Sequence, residues 1–219
     1  MPLRPEQIDF TEIILKGSRE LGIPVTREAS LKMLRYFHLL QEWNRKVNLT
    51  SLRDPLEIAL LHFLDSLTAF RVLERGTRMR VLDMGTGAGF PGMVIRIADE
   101  SLKMSLLDRD PRKIVFLKHV ASDLGLSELT YFNAPLRSLV ESQPSVFFDA
   151  VVSRAFASDP AVWDSVSVLL EPSGSLVRMA GPASGGADFV LQNFVLSEVW
   201  EGILPFSTVH RRVILYKKT

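Results

Sequence analysis

The chain of 219 residues contains no cysteine, which excludes a disulfide framework and any thiolate metal site. Its four histidines are scattered without a helical pair spacing, so no zinc cluster and no other metal is expected. No apolar run approaches the length needed to cross a bilayer. The first ten residues include Glu6 and Asp9 and lack a basic start followed by an apolar core, so no signal peptide is expected and a reducing cytoplasm is the expected home. An excess of one charge is also missing. The formal net charge of +1 gives no global attraction to nucleic acid, and any such partner must be held by local basic patches. What remains is an ordinary globular composition, 47% apolar and 23% charged, long enough for one catalytic domain with a helical extension.

The most informative stretch runs from Met79 to Gly92, where the apolar Val81-Leu82 reaches Asp83 and then breaks into Gly85-Thr86-Gly87-Ala88-Gly89-Phe90-Pro91-Gly92. It reads as a buried strand, a tight turn whose backbone can approach a ligand, and a helix start near Pro91. Gly87 to Gly92 satisfies the dinucleotide fingerprint by spacing, but a pyrophosphate wants free backbone N–H groups and no fixed anion, and Pro91 and Asp83 oppose both. S-adenosylmethionine carries an ammonium and a sulfonium and no phosphate, so an acid at the strand tip suits it by charge complementarity. The pattern favours a methyl donor over NAD.

Before this stretch the sequence is helical. Residues from about Pro5 to Leu21 form one amphipathic helix, stopped by Gly22-Ile23-Pro24. Thr26 caps a second, with an apolar stripe of Met33, Phe37, Leu40, Trp43 and Val47. Arg35, Arg45, Lys46 and Arg53 make a local basic cluster, equally a solvated face or an RNA contact. Asp54-Pro55-Leu56-Glu57 starts a third helix, on which His62, Asp65 and Ser66 share a polar face. His62 reads as a hydrogen-bonded packing histidine or as a substrate contact beside the cleft.

After Gly76 short apolar runs alternate with helical segments, which predicts a parallel sheet wound with crossover helices. Strands are expected at Met79–Met84, Lys103–Leu107, Leu129–Phe132, Phe147–Val152, Leu176–Met179, Val195–Ile203 and Val209–Tyr216. Helices are expected at Gly92–Ala98, Pro111–Leu124, Asp159–Leu170 and Ala183–Gln192, with a short one after Pro135. The last two strands are joined by Leu204-Pro205-Phe206-Ser207 and should form an antiparallel hairpin at one edge. The expected fold is therefore α/β, a Rossmann-like seven-stranded methyltransferase sheet, with residues 1–75 as a helical extension and 76–219 as the donor-binding domain. Ligands in open sheets sit at the carboxyl ends of the strands, where Asp83, Asp108 and Arg154 fall. Asp108 comes at the spacing of an acid that accepts from both ribose hydroxyls, its other role being a cap before Pro111.

Asn48-Leu49-Thr50-Ser51-Leu52-Arg53-Asp54-Pro55, His62-Phe63-Leu64-Asp65-Ser66, Val81 through Gly92, Leu107-Asp108 with Lys113 and Phe116-Leu117, and Val152-Ser153-Arg154-Ala155-Phe156-Ala157 occur in this order. With these segments the chain resembles the bacterial small-subunit ribosomal RNA methyltransferase G family, also called glucose-inhibited division protein B. The resemblance implies an S-adenosylmethionine-dependent enzyme, a cytoplasmic monomer, that methylates N7 of one guanine in 16S ribosomal RNA near the decoding centre. By position it implies Gly85, Gly87 and Phe90 in the cofactor loop beside Asp83, Asp108 as the ribose acid, and Leu136 and Arg137 at the adenine. It makes Arg154 a cofactor-site or catalytic residue, with Asn48 and His62 facing the cleft. One departure is Asn133-Ala134-Pro135-Leu136-Arg137, where the family usually shows an Arg-x-Glu-like segment. N7 has a lone pair and no proton to lose, so the reaction needs orientation and exclusion of water more than a base. Arg154 offers a planar cation for a phosphate or the guanine O6 edge, or else an ion pair with Asp83 or Asp65. The competing expectations are an NAD-dependent oxidoreductase and a non-catalytic module that binds ribosomal RNA.

Overall fold

The structure, a computed structural model, describes residues 9–73, 78–142, 147–154, 160–181 and 190–219. Helix α1 covers Phe10–Glu20, with Asp9 capping it by accepting from the Glu12 N–H. Helix α2 covers Arg27–Asn44, and the Thr26 hydroxyl accepts from the Ala29 N–H. Each cap satisfies one of the donors that a helix start leaves without an intrahelical partner. A composite helix, α3, begins as α over Pro55–Ile58 with Asp54 as its cap and widens to a π-helix over Ala59–Leu64. It returns to α over Asp65–Leu67 and ends in a 3₁₀ turn over Thr68–Arg71. His62 lies inside the π segment, a rare geometry that recurs at functional sites.

Strands β1 (Arg80–Met84), β2 (Lys103–Leu107), β3 (Leu129–Phe132) and β4 (Phe148–Arg154) alternate with helices α4 (Gly92–Ala98), α5 (Pro111–Asp123) and α6 (Leu136–Ser142). Helix α7 (Pro160–Ser165) and a 3₁₀ turn (Val166–Leu169) lead into β5 (Leu170–Ala180), followed by β6 (Phe194–Ile203) and β7 (His210–Lys218). The helix expected over Ala183–Gln192 falls mostly outside the described residues. The sheet order is β3-β2-β1-β4-β5-β7-β6. The first five strands are parallel, and β7 runs antiparallel to both β5 and β6. The expected hairpin is present, but its second strand is inserted inside the sheet and only β6 forms the edge.

Strand β5 begins six residues earlier than the expected Leu176. Leu170 pairs with Phe148 and Ser175 with Ala150, so Glu171-Pro172-Ser173-Gly174 bulges out between two paired stretches. The proline, and Ser173 at φ 66°, read in sequence as a loop, and the pairing across the bulge is a long-range matter.

Alternation along β1 divides the interior into two layers. Val81 joins a core built from α1 to α5, while Leu82 and Met84 join a second core with Leu136 of α6 and Trp163 of α7. The N-terminal helices thus share one core with the sheet. Aromatic rings make the joint: Tyr36 of α2 stacks on Phe90 at 5.4 Å and meets Phe63 of α3 edge-on at 5.4 Å. Chain order reverses direction at β1, which has β2 on one side and β4 on the other, so the crevice at the carboxyl ends of these strands is the expected ligand position.

Candidate active site

The turn after β1 is held by its own backbone. The N–H groups of Gly85 and Thr86 donate to the Leu107 carbonyl at 2.9 and 3.0 Å, and those of Gly89 and Phe90 donate to the Thr86 carbonyl at 2.8 and 2.9 Å. The Gly87 N–H donates to Asp108 Oδ2 at 2.9 Å and the Gly92 N–H to Asp83 Oδ2 at 2.8 Å. With Pro91 lacking an N–H, this loop keeps few backbone donors for an anion, unlike a phosphate-binding turn.

Beside the loop lies a cleft of about 410 Å³, lined by Gly85, Leu107, Asp108, Lys113, Ala134 and Leu136 among others. Asp108, at the tip of β2, is nearly buried and also accepts from the Asp110 N–H at 2.9 Å, with Lys113 Nζ 3.5 Å away. These bonds use one lone pair on Oδ1 and two on Oδ2 at most, and a carboxylate offers about four acceptor positions. The cap before Pro111 is supplied by Asp110, which accepts from the Arg112 N–H. Asp108 is thereby left to the cleft.

On the other side of the loop a polar cluster rests on Phe90. The His62 ring stacks on Phe90 at 4.4 Å between centroids and 11° between planes, and the Arg154 guanidinium lies 5.5 Å from the same ring. Arg154, at the end of β4, donates from Nη1 to the Leu61 carbonyl at 2.8 Å and to Asp65 Oδ2 at 3.0 Å. Its Nη2 lies 3.1 Å from His62 Nδ1, and His62 Nε2 lies 2.8 Å from Thr50 Oγ1. An arginine only donates, so Nδ1 accepts, and the neutral ring carries its proton on Nε2 and donates to Thr50. Asp65 is buried and also accepts from Arg211 Nε of β7 at 2.8 Å. Asn44 fixes the turn that carries Thr50: its Oδ1 accepts from the Leu49 and Thr50 N–H groups, and its Nδ2 donates to the Thr50 carbonyl.

The family model for rRNA small subunit methyltransferase G matches residues 29–185, which includes all but the first two residues of the second helix, the glycine loop, the cleft and Arg154. The chain belongs to this family. Ribosomal RNA small subunit methyltransferase G of Acinetobacter baumannii is 39% identical over 176 residues, 78% of this chain and 80% of that protein. That of Chromohalobacter salexigens is 38% identical over 165 residues, 75% and 76% of the two chains. That of Acetivibrio thermocellus is 29% identical over 219 residues, 97% and 90% of the two. Among solved structures, TrmN from Thermus thermophilus superposes with a TM-score of 0.56 at 19% identity, covering 74% of this chain and 53% of that one. The predicted O-methyltransferase Atu636 from Agrobacterium tumefaciens does so with a TM-score of 0.54 at 19% identity, covering 70% and 80%. At such identities the likeness is one of fold, the Rossmann-like methyltransferase sheet.

In this member of the methyltransferase G family, Gly85, Asp108 and Leu136 line one cleft, and His62 and Arg154 meet on Phe90. Phe90 itself is buried between His62 and Tyr36. Three expected residues sit elsewhere. Asp83 is fully buried on the α4 face of β1 and accepts from the Gly92 N–H, so its carboxylate anchors the loop from within the core and does not face a ligand at the strand tip. Arg137 is largely exposed, pairs with Glu141 at 2.6 Å, one turn along α6, and does not line the cleft. Asn48 is exposed and lines a separate hollow with Arg45 and Arg53. Of the two ion-pair partners open to Arg154, Asp65 is the one observed. Asn44, Thr50 and Arg211 complete the cluster. Thr50 lies in the Asn48–Pro55 segment that resembles the family, whereas nothing local marks Arg211, 146 positions from Asp65. Ala155 to Ala157 lie outside the described residues. Among the described residues no group of three or more acidic or histidine side chains gathers to hold a metal, and no helix is long and apolar enough to cross a membrane.

Burial and the neighbouring Arg154 push the His62 pKa from 6.5 down to about 3, while burial pushes Asp83 from 3.8 up to about 6. The two shifts act with opposite sign on stability. His62 favours the folded state above pH 6.5 and withdraws that support as pH falls toward 3. Asp83 favours it below pH 3.8 and withdraws its support as pH rises through 6. Between these limits they offset. His62→Gln removes one of the pair, so urea midpoints of the variant should rise relative to wild type as pH is lowered from neutral toward 4.5. Parallel pH profiles for the two proteins would contradict the assignment.

Proposed function

We propose that the protein transfers a methyl group from S-adenosylmethionine to N7 of one guanine in 16S ribosomal RNA near the decoding centre. The observation that carries the donor assignment is the loop whose N–H groups are spent on Leu107, Thr86, Asp108 and Asp83. A diphosphate would find little to hold it there, whereas a cofactor recognised through its nucleoside needs only the cleft alongside. Asp108 keeps at least one acceptor position, on Oδ1, for the ribose hydroxyls, and Leu107, Ala134 and Leu136 offer an apolar wall for a flat base. Membership of the methyltransferase G family supports the ribosomal RNA substrate.

When bound, S-adenosylmethionine supplies an electrophilic methyl on its sulfonium, and the N7 lone pair accepts it with no proton to remove. The residues agree with a reaction that needs no base. His62 is neutral and both of its ring nitrogens are engaged. Arg154 keeps its Nε–H and one Nη2–H without a partner among the described residues. Those two donors are a fork for the O6 edge or a phosphate of the target nucleotide. The cluster beneath fixes the guanidinium plane, and orientation of this kind is where most of the rate is expected.

The test is incubation with methyl-labelled donor and small subunits lacking the modification, followed by mapping of the labelled base. Label on guanine N7 of the small-subunit RNA supports the reading, and no transfer, or NAD binding in place of the donor, overturns it. Asp108→Ala should weaken donor binding by about 1–3 kcal/mol, because the ribose hydroxyls would no longer have a charged acceptor. Calorimetric titration that returned wild-type affinity would remove Asp108 from the site.

A further inference from the structure

At the C-terminal end of α2 a hollow of about 500 Å³ opens, with Leu40 and Leu52 in its floor and Asn48, Arg45 and Arg53 around it. It has no acidic residue in its lining. Two other hollows do carry carboxylates, Glu28, Asp99 and Glu100 in one and Asp149, Glu171 and Glu198 beside Lys217 in the other. Arg45 and Arg53 are exposed, and neither forms an ion pair among the described residues. Arg35, on the same helix, differs. Its guanidinium is forked by Asp123 at 2.6 and 2.7 Å, which neutralises it. Of the four basic residues clustered in sequence, Arg35 is thus satisfied, Arg45 and Arg53 line a nucleotide-sized recess, and Lys46 lies outside its lining.

The hollow is joined to the active site by the turn that Asn44 pins. One side of that turn presents Asn48, Leu52 and Arg53 to the recess, and the other presents Thr50 to His62 at 2.8 Å. An apolar floor, an amide at the rim and two cations suit a base with its phosphate. We propose that this hollow is a second RNA subsite, taking a nucleotide that flanks the methylated guanine, with Arg45 and Arg53 on its backbone phosphates. This rests on the reading of ribosomal RNA as the substrate.

Equilibrium binding of 16S ribosomal RNA by the full chain, measured across a salt series, tests it without depending on catalysis. For Arg45→Ala/Arg53→Ala the slope of log affinity against log salt should become shallower by roughly 0.7 for each phosphate that is no longer neutralised. Affinity at low salt should fall about tenfold or more, which at about 1.4 kcal/mol per decade is a modest effect for two phosphates. Arg35→Ala, removing an arginine that is also exposed but is paired, should keep the wild-type slope. A double variant with unchanged slope and affinity overturns the subsite, as does an equal change in Arg35→Ala, which would mean diffuse charge. Failure of wild-type protein to transfer methyl groups would instead strike the catalytic reading, and the two failures are read from separate measurements.

Discussion

Gly89→Ala should destabilise the protein by roughly 2–5 kcal/mol, the sum of a left-handed backbone cost of about 1–2 and an overpacking cost of about 1–3. Gly89 sits at φ 98°, and a Cβ there would lie 2.7 Å from Leu117 Cδ2 and 2.8 Å from Met93 Cγ, with the Tyr36 hydroxyl closer still. None of the three can retreat easily. Leu117 and Met93 are core residues, and Tyr36 is buried with its hydroxyl donating to the Ala88 carbonyl. Gly125 provides the comparison, since it has φ 63° and nothing within 4 Å of its notional Cβ. Gly125→Ala should therefore show the backbone cost alone, about 1–2 kcal/mol. Urea unfolding checks both: the Gly89→Ala midpoint should fall well below that of Gly125→Ala with the m-value unchanged. Equal destabilisation would mean that Tyr36 and the loop are not packed as described. The same substitution should reduce donor affinity, because the carbonyl that Tyr36 holds belongs to the loop that frames the cleft.

Much of this architecture is legible in the chain because its signals are local. Strands Lys103–Leu107 and Leu129–Phe132 and helix Gly92–Ala98 coincide with their expected limits, each bounded by a cap, a glycine turn or an end of the apolar run. The caps at Thr26, Asp54 and Asp110 are short-range hydrogen bonds within three residues, which is why they can be read directly. Side-chain direction is a different matter. Asp83 is expected from sequence to present its charge to a cofactor, yet the alternation of β1 places it on the Val81 face, under α4. Gly92 has room there only because it lacks a side chain: its Cβ would meet Asp83 Oδ2 and Leu106 Cδ2 at 2.6 Å. Arg137 finds a nearer partner one helical turn away in Glu141. A diphosphate is still disfavoured, but the physical basis moves from the charge of Asp83 to the backbone N–H groups already committed inside the turn. Of the polar cluster, Arg154, His62 and the Asp65 pairing as one of two choices are legible, and what escapes the sequence is the tie from Arg211. The cluster is tied from β4, β7, α3 and the turn after α2, and no local pattern records which of several arginines will find Asp65.

Asp65→Ala should be the other costly substitution, about 3 kcal/mol, the lower end of what removing one partner from a buried ion pair costs. The lower end applies because the two arginines keep some access to water, with side chains 20% and 16% exposed against 3% for Asp65. Each also keeps one carbonyl partner, Leu61 for Arg154 and His210 for Arg211. What the variant loses is the single carboxylate that joins α3 to β4 and β7, and with it the fixed plane of the Arg154 guanidinium over Phe90. Turnover should fall in step while donor affinity, set in the cleft on the far side of the loop, stays near wild type. Asp65→Asn separates charge from geometry: it retains one carbonyl-type acceptor, so it should recover part of the stability and, if orientation of Arg154 is what matters, a larger part of the turnover. A variant lacking the carboxylate that unfolded within about 1 kcal/mol of wild type, or that kept full turnover while losing stability, would show that Arg154 is positioned by its carbonyl and histidine partners alone. The carboxylate would then be a strut between helix and sheet, with no part in presenting the guanidinium to RNA.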